Sequence, residues 1–354
     1  MKIAFRVDGS PLIGGGHLMR CLTLADAAQA QGHEILFLSV EGPDYFTDLI
    51  AARNYSYLGL TPSKPPPVPE ASDPPHASWR ALPWQADAAH CATALRDWPA
   101  DWLVLDHYGL DARWVTACRA LCPDLRVLAI DDLDDRPLAA DLLLDQGNLT
   151  EKAYRFPVAS LLRGPDYALL KPDFARLRDK ALRRRNGQVK AVLIAPGMGD
   201  AAFLAPTALA ALDAFPQLSV TITMSRISPS RASVEQQIAS RPQARLQLDS
   251  PDMARLIRDA DLAIGAGGMS AWERCCLGLP SLLVPVAENQ QQSAAALAAA
   301  QAVRLVSNDS AAIRKALADC LATPQSLQAM ARAAAKLVDG QGADRVVEAL
   351  IKHS

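Results

Sequence analysis

Short runs rich in Val, Ile and Leu alternate along this chain with Ala- and Leu-rich segments of helical period. That pattern belongs to parallel sheets covered by helices and predicts an α/β protein. In the first half it predicts strands at Lys2–Val7, Glu34–Ser39, Trp102–Leu105, Arg126–Ile130 and Asp141–Leu144. It restarts with Val189–Ala195, Leu218–Thr223, Arg245–Leu248, Leu262–Ile264, Ser281–Val284 and Val303–Val306. Between the halves, Tyr167 to Asn186 is polar and charged, with Lys171-Pro172 and the run Arg183-Arg184-Arg185, as expected of a connector on a solvated face. The expected organisation is two Rossmann-like domains, residues 1–165 and 188–354, joined by a connector at 166–187. The Pro-rich segment Thr61 to Pro83 interrupts the first domain and is too long for an ordinary connection. It is either a tolerated surface insertion or an ordered loop over a site, since His76, Trp79, Trp84 and Gln85 crowd its end.

Composition narrows the function. The chain has 354 residues, 50% of them hydrophobic, enough for two cores. A formal net charge of −2 gives no global field for nucleic acid or an anionic membrane, so neither is expected as a partner. Met1-Lys2 runs straight into a strand, without a secretory signal pattern, and no apolar stretch approaches membrane-spanning length. A cytoplasmic location without stable membrane association is expected. Seven cysteines without a Cys-x-x-Cys pair fit reduced thiols, with Cys275 and Cys276 as packing residues.

Two glycine turns carry the candidate chemistry. Gly14-Gly15-Gly16-His17 lies between the first strand and a helix-like run from Leu18 to Ala30. Glycines there let a ligand approach the backbone, and the helix N-terminus favours phosphate or developing negative charge. The same dipole disfavours imidazolium, so His17 is a candidate neutral base; the alternative is a histidine that merely caps the helix. Arg20 follows His17 by one helical turn on the same face, and Arg6 and Arg20 flank the turn as candidates to balance phosphate charge. Asp8 is either a residue that orients His17 or a sugar hydroxyl, or a turn residue before Gly9.

The second turn, Gly265-Ala266-Gly267-Gly268-Met269-Ser270, follows the strand Leu262–Ile264 and opens a helix with Glu273 in its first turns. Ligands of open parallel sheets bind beyond the carboxyl ends of strands, so two such turns can face each other across a cleft and hold a ligand with a central diphosphate. Gly267, Gly268, Met269 and Ser270 are its candidate phosphate donors, and Glu273 suits a ribose diol. Ser270 and Glu273 also have capping-box spacing, which leaves both readings open. Asn289-Gln290 begins the next helix; Asn289 is a candidate ligand contact or an N-cap. The acids Asp131, Asp132, Asp134 and Asp135 sit in one loop and are expected to be solvated rather than to hold a metal.

Phe5-Arg6-Val7-Asp8, Gly14 to His17, Arg20-Cys21-Leu22, Asp106-His107-Tyr108-Gly109-Leu110-Asp111 with Trp114, Leu143-Leu144-Asp145-Gln146, Gly164 to Leu170 and Trp272-Glu273-Arg274 occur in this order. Together they resemble the PseG family, the UDP-2,4-diacetamido-2,4,6-trideoxy-beta-L-altropyranose hydrolases of pseudaminic acid synthesis, which are similar to MurG-type glycosyltransferases. The chain departs from that pattern at Gly197-Met198-Gly199-Asp200-Ala201, where the family has Gly-Gly-x-Asp-Pro. The resemblance implies a GT-B-like fold of two domains facing across a cleft, a small-molecule UDP-sugar substrate, and no metal or other cofactor. It implies removal of UDP by water at the anomeric carbon, with inversion. His17 would be the base, Tyr108 would contact the sugar, the Gly265–Ser270 turn would hold the pyrophosphate, and Glu273 would hold the ribose. Backbone groups near Ile264 to Ala266 would meet the base, with Asn289 and Gln290 facing the same site.

Two other functions share these features: a nucleotide-sugar transferase, which needs an acceptor site, and a noncatalytic nucleotide-sugar binding protein, which does not need His17. A Rossmann oxidoreductase is disfavoured, because Gly14-Gly15-Gly16 lacks Gly-x-Gly-x-x-Gly spacing and Leu38-Ser39 ends the second strand without an acid.

Overall fold

The computed structural model describes residues 1–10, 12–42, 44–149, 153–197, 200, 202–287 and 290–354. Two parallel sheets organise them. The first contains β1 (Lys2–Val7), β2 (Glu34–Val40), β3 (Ser56–Leu60), β4 (Trp102–Asp106), β5 (Arg126–Ile130), β6 (Leu142–Asp145) and β7 (Ser160–Arg163), in the order β3-β2-β1-β4-β5-β6-β7. The second contains β8 (Ala191–Ala195), β9 (Ser219–Met224), β10 (Ala244–Leu248), β11 (Leu262–Ala266), β12 (Ser281–Val284) and β13 (Arg304–Leu305), in the order β10-β9-β8-β11-β12-β13.

In each sheet the winding direction reverses once. The reversal lies between β1 and β4 in the first sheet and between β8 and β11 in the second. Connections diverge to opposite faces at such a point, opening a crevice at the carboxyl ends of the two strands. The β1–β4 register places Val7 opposite Asp106, so the residues that follow β1 and end β4 meet at this crevice.

In the first sheet, burial separates the strands that the hydrophobic pattern reveals from those it does not. β1 and β4 are buried along almost their whole length, as are β8 and β11. β3 and β7 are edge strands: β3 alternates exposed and half-buried positions, and β7 has one buried residue. Neither has the continuous apolar run that marks a central parallel strand, and the sequence pattern predicts neither.

The chain divides into two compact units, Met1–Gln146 with Glu151–Leu169 and Gly342–Ser354, and Gly147–Thr150 with Leu170–Gln341. The chain end therefore differs from the expected domain 188–354. The helix Gly342–Lys352 buries Ala343, Val346, Val347 and Leu350 within the first unit. A Cβ on Gly342 would lie 2.3 Å from the Ala168 carbonyl oxygen, so glycine lets this helix begin directly on that backbone. At its other end, Trp102 Nε1 donates to Ser354 Oγ at 3.0 Å.

The expected connector differs too. Pro172–Arg184 is a helix of the second unit that buries Phe174 and Ala181. Arg185 donates to the carbonyls of Leu277 at 3.0 Å and Ile257 at 2.9 Å, and also to that of Ala260. Burial pushes its guanidinium down to about 10, so part of this basic run ties helix ends together instead of facing solvent. All seven cysteines are free thiols, and Cys275 and Cys276 are buried. Among the described residues, no helix is long and apolar enough to cross a membrane.

Candidate active site

After β1 the chain turns at Ser10–Gly14, where the Gly14 amide donates to the Ser10 carbonyl at 2.7 Å and the Ile13 amide to Ser10 Oγ at 3.1 Å. Gly14 has φ +79°, which a side chain disfavours. The helix Gly16–Ala30 begins behind Gly15 with no side-chain cap, so His17 stands in its first turn among amides that have no intrahelical partner. A Cβ at Gly14 or Gly16 would meet nothing within 4 Å. Packing does not demand these glycines; the space before the turn is open to a ligand.

His17 is nearly buried, and its Nδ1 lies 2.6 Å from Asp106 Oδ1. Arg20 donates from Nε to Asp106 Oδ2 and from Nη2 to Oδ1, both at 2.6 Å, and Cys21 Sγ approaches Oδ2 at 3.5 Å. Burial opposes charge on Asp106, but the Arg20 cation and the hydrogen bond from His17 outweigh it and hold the carboxyl well below the usual range. A carboxylate only accepts, so Nδ1 carries the proton and Nε2 keeps its lone pair. Histidine used as a base needs this tautomer, and Asp106 fixes it while stabilising the imidazolium that proton uptake would create. Arg20 Nη2 also lies 3.1 Å from Nδ1, farther than from Asp106. Asp106 ends an apolar buried strand at the sheet's reversal point; that placement is the sequence signal for it, though the motif reading gave it no role.

An aromatic cluster encloses the imidazole. The His17 ring meets Tyr108 edge-on with centroids 4.6 Å apart, and Trp79 likewise at 5.7 Å. Trp79 stacks on Tyr108 at 5.4 Å, and His76 packs against Trp79 at 4.9 Å and Tyr108 at 5.5 Å. Thus the Pro-rich segment is ordered at its aromatic end, against the histidine turn. The Tyr108 hydroxyl donates to Asp132, and burial pushes its phenol up. Arg136 pairs with Asp131 and Asp135 at 2.8 Å, and the Arg155 amide donates to Asp134. The four acids are therefore spent on internal partners, and Asp131 is buried rather than solvated.

Asp8 and Arg6 take other places than expected. Arg6 is 1% exposed and donates to both oxygens of Asp8, at 2.6 and 2.9 Å, and to both of Asp87. Asp8 also accepts from the Val40 amide at 2.8 Å and Ser39 Oγ at 3.2 Å, and His107 Nε2 lies 3.3 Å away. His107 Nδ1 accepts from the Gly109 amide at 3.0 Å, which leaves Nε2 as the nitrogen facing Asp8. Burial raises the Asp8 carboxyl, and Arg6 with His107 more than reverses this, so that it sits well below the usual range. Asp8 thus does not orient His17; Asp106 does. Nor are Arg6 and Arg20 available to balance phosphate, since buried carboxylates engage both.

In the second unit, Gly268 precedes the helix Met269–Cys276 with φ +75° and ψ −156°, a conformation suited to glycine. This contradicts the capping-box reading. Ser270 lies inside the helix, where its Oγ accepts from Arg274 Nη1 at 3.1 Å, and Arg274 also donates to the Ala266 carbonyl at 2.7 Å. The Glu273 carboxyl has no hydrogen bond or ion pair among the described residues, and desolvation pushes it up to about 7 against the pull of Arg274 and Lys171. Gln290 clamps the turn: its Oε1 accepts from the amides of Gly267 and Val286, both at 3.2 Å. A Cβ on Gly267 would lie 3.0 Å from that oxygen. The Gly267 amide is therefore occupied and is not a phosphate donor here.

Asn289 lies outside the described residues, as do Met198, Gly199 and Ala201 of the departing loop. Asp200 of that loop accepts at 2.7 Å from the amide of Leu204, the first residue of the helix Leu204–Ala211, and it also accepts from Ser230 Oγ.

Residues 226–346 match the glycosyltransferase family 28 C-terminal domain. Over 151 residues the chain is 31% identical to the spore coat polysaccharide biosynthesis protein SpsG of Bacillus subtilis (strain 168). That match covers 42% of this chain and 44% of SpsG, so the chain spans less than half the length of this relative. Among solved structures, MurG of Acinetobacter baumannii superposes with a TM-score of 0.69 at 17% identity, covering 99% of this chain and 100% of that one. UDP-GlcNAc 2-epimerase from Neisseria meningitidis bound to UDP-GlcNAc gives 0.64 at 13% identity, with 99% and 100% covered. The spinosyn rhamnosyltransferase SpnG gives 0.60 at 21% identity, with 99% and 100% covered. The chain has the fold of these proteins: two parallel-sheet α/β domains of the GT-B type.

Proposed function

We propose that this chain hydrolyses a UDP-linked 6-deoxy sugar of the UDP-2,4-diacetamido-2,4,6-trideoxy-beta-L-altropyranose class to UDP and the free sugar, in pseudaminic acid synthesis. The observation that carries the reading is the hydrogen bond from His17 Nδ1 to buried Asp106, which leaves Nε2 as a base in an open glycine turn. Water attacks the anomeric carbon and gives a proton to Nε2. The bond from that carbon to the diphosphate oxygen breaks, and its electron pair leaves with UDP. Attack opposite the leaving group inverts the centre. A positioned base contributes about 10²- to 10⁴-fold in rate. UDP needs no strong acid to leave, only donors that meet its growing charge. The positive N-terminal end of the helix Met269–Cys276 suits that task through its dipole, with Glu273 accepting from the ribose and Tyr108 beside the sugar. The match of residues 226–346 to a glycosyltransferase C-terminal domain supports a nucleotide-sugar ligand.

That same match, with the likeness to MurG and SpnG, favours a second reading: a nucleotide-sugar transferase in which an acceptor hydroxyl replaces water. A proton NMR time course of the UDP-linked diacetamido-trideoxy sugar, with EDTA and no acceptor, separates the two. Hydrolysis requires UDP and free sugar to appear, the inverted anomer first. Substrate that binds but persists would replace hydrolysis with transfer.

A further inference from the structure

We infer that Trp79, delivered by the Pro-rich insert, is a specificity residue that receives the apolar face of the sugar beside the catalytic imidazole; this rests on the nucleotide-sugar reading above. Of the aromatic rings around His17, Tyr108 is buried, whereas Trp79 is partly exposed and stands perpendicular to the imidazole with centroids 5.7 Å apart. Stacking on Tyr108 at 5.4 Å fixes its plane. An indole held in this way presents a flat, weakly polar surface at the base. A hexopyranose lacking an oxygen at carbon 6 presents a matching patch of C–H bonds, and aromatic walls with few polar groups are the usual lining of small-molecule sites.

The insert is built to hold that ring still. Asp73, with a side chain 3% exposed, takes a two-pronged contact from buried Arg80 and a further bond from Arg113 Nη2 at 2.9 Å. Ser63 bonds the Ala81 carbonyl through both its amide and its hydroxyl at 3.0 Å, closing the base of the insert. Opposite, Gly109 follows Tyr108, and a Cβ there would lie 2.7 Å from the His76 carbonyl oxygen and 3.2 Å from Arg80 Cγ. A merely tolerated surface loop does not need buried ion pairs and a glycine seat next to a catalytic turn.

The test compares wild type with Trp79→Ala and Trp79→Tyr. It measures kcat and KM for UDP-2,4-diacetamido-2,4,6-trideoxy-beta-L-altropyranose, the inhibition constant of UDP, and equilibrium binding of both compounds by calorimetry. In Trp79→Ala, KM and the dissociation constant of the UDP-sugar should rise roughly tenfold, the upper range of one aromatic contact. UDP binding should stay within about twofold, and Trp79→Tyr should recover most of the loss. Unchanged UDP-sugar affinity in Trp79→Ala, or equal weakening of UDP and UDP-sugar, would overturn the assignment. If wild type binds the sugar without hydrolysing it, the binding comparison still decides the role of Trp79 while hydrolysis falls. Wild type that prefers UDP-sugar no more than UDP would overturn the Trp79 assignment by itself.

Discussion

His17 Nδ1 and Asp106 Oδ1 lie 2.6 Å apart although 89 residues separate them in the chain. The contact exists because β1 and β4 are adjacent at the point where the first sheet reverses its winding, so the helix after β1 begins over the end of β4. Asp106→Asn keeps the shape and removes the charge. An amide in that place can present its NH₂ group to His17 and stabilise the wrong tautomer, and it no longer stabilises the imidazolium. Turnover should fall about 10²- to 10⁴-fold with KM changed little. A kcat within threefold or so of wild type would mean that His17 works without this carboxylate.

Gly109→Ala tests the seat of the insert. The added methyl would sit 2.7 Å from a backbone oxygen of His76 and 3.0 Å from His107 Cε1, so the insert or the Tyr108 backbone must shift. Overpacking of this kind costs about 1–3 kcal/mol, and the shift separates Trp79 from His17. Urea denaturation should show that loss, and kcat/KM should fall by more than the unfolded fraction explains. Wild-type stability would show that the insert yields freely.

The central strands were legible because each is a continuous apolar run between helical segments, and both glycine turns follow from their placement after such runs. The edge strands Ser56–Leu60 and Ser160–Arg163 of the first sheet were not, because half-buried positions leave no uniform pattern there, although the half-buried edges of the second sheet, Ala244–Leu248 and Arg304–Leu305, still carried enough apolar residues to be read. The site divides in the same way. His17 announces itself by local context, a helix N-terminus behind glycines. Asp106 and Asp87 act through long-range pairings that the fold creates, whereas Trp79 stands out in the sequence as part of the aromatic end of the Pro-rich insert. Arg6 and Arg20 looked like phosphate ligands because sequence shows a cation near a turn, not the buried carboxylate that engages it. The helix Gly342–Lys352 was assigned by chain continuity, whereas packing places it with the first unit.

Arg6→Met should be among the most damaging changes away from the catalytic turn. It keeps the apolar stem but leaves Asp8 and Asp87, both nearly buried, without their shared cation. Removing one partner of a buried pair typically costs about 3–5 kcal/mol. Because Asp8 is held below the ordinary carboxylate range, its contribution in wild type is present above its unfolded value near about 4 and is lost as pH falls below that. In Arg6→Met the acids can relieve the unpaired charge by taking up protons. The gap between variant and wild type, from urea denaturation, should therefore be larger at pH 7 than at pH 4. An equal gap at both would assign the loss to packing rather than to charge.

Glu273 gives a pH dependence of the opposite sign. Its folded carboxyl is pushed up to about 7, whereas an unfolded glutamate titrates near about 4.3. Across that window the folded protein holds more protons than the unfolded chain, so this group makes stability fall as pH rises, and the penalty is complete above 7. Glu273→Gln removes the charge at every pH. It should be more stable than wild type at pH 8, with a difference that shrinks towards pH 4. If the carboxylate serves the ribose, binding favours its charged form. Uridine, which carries no titrating phosphate, should then bind wild type more tightly at pH 8 than at pH 5.5, while Glu273→Gln shows a weaker and nearly flat profile. Calorimetric titrations with uridine at both pH values check this. A variant more stable at pH 8 that binds uridine as wild type does would keep the cost of the half-buried charge and remove its ribose role, whereas no gain in stability would mean that solvent already relieves the carboxylate.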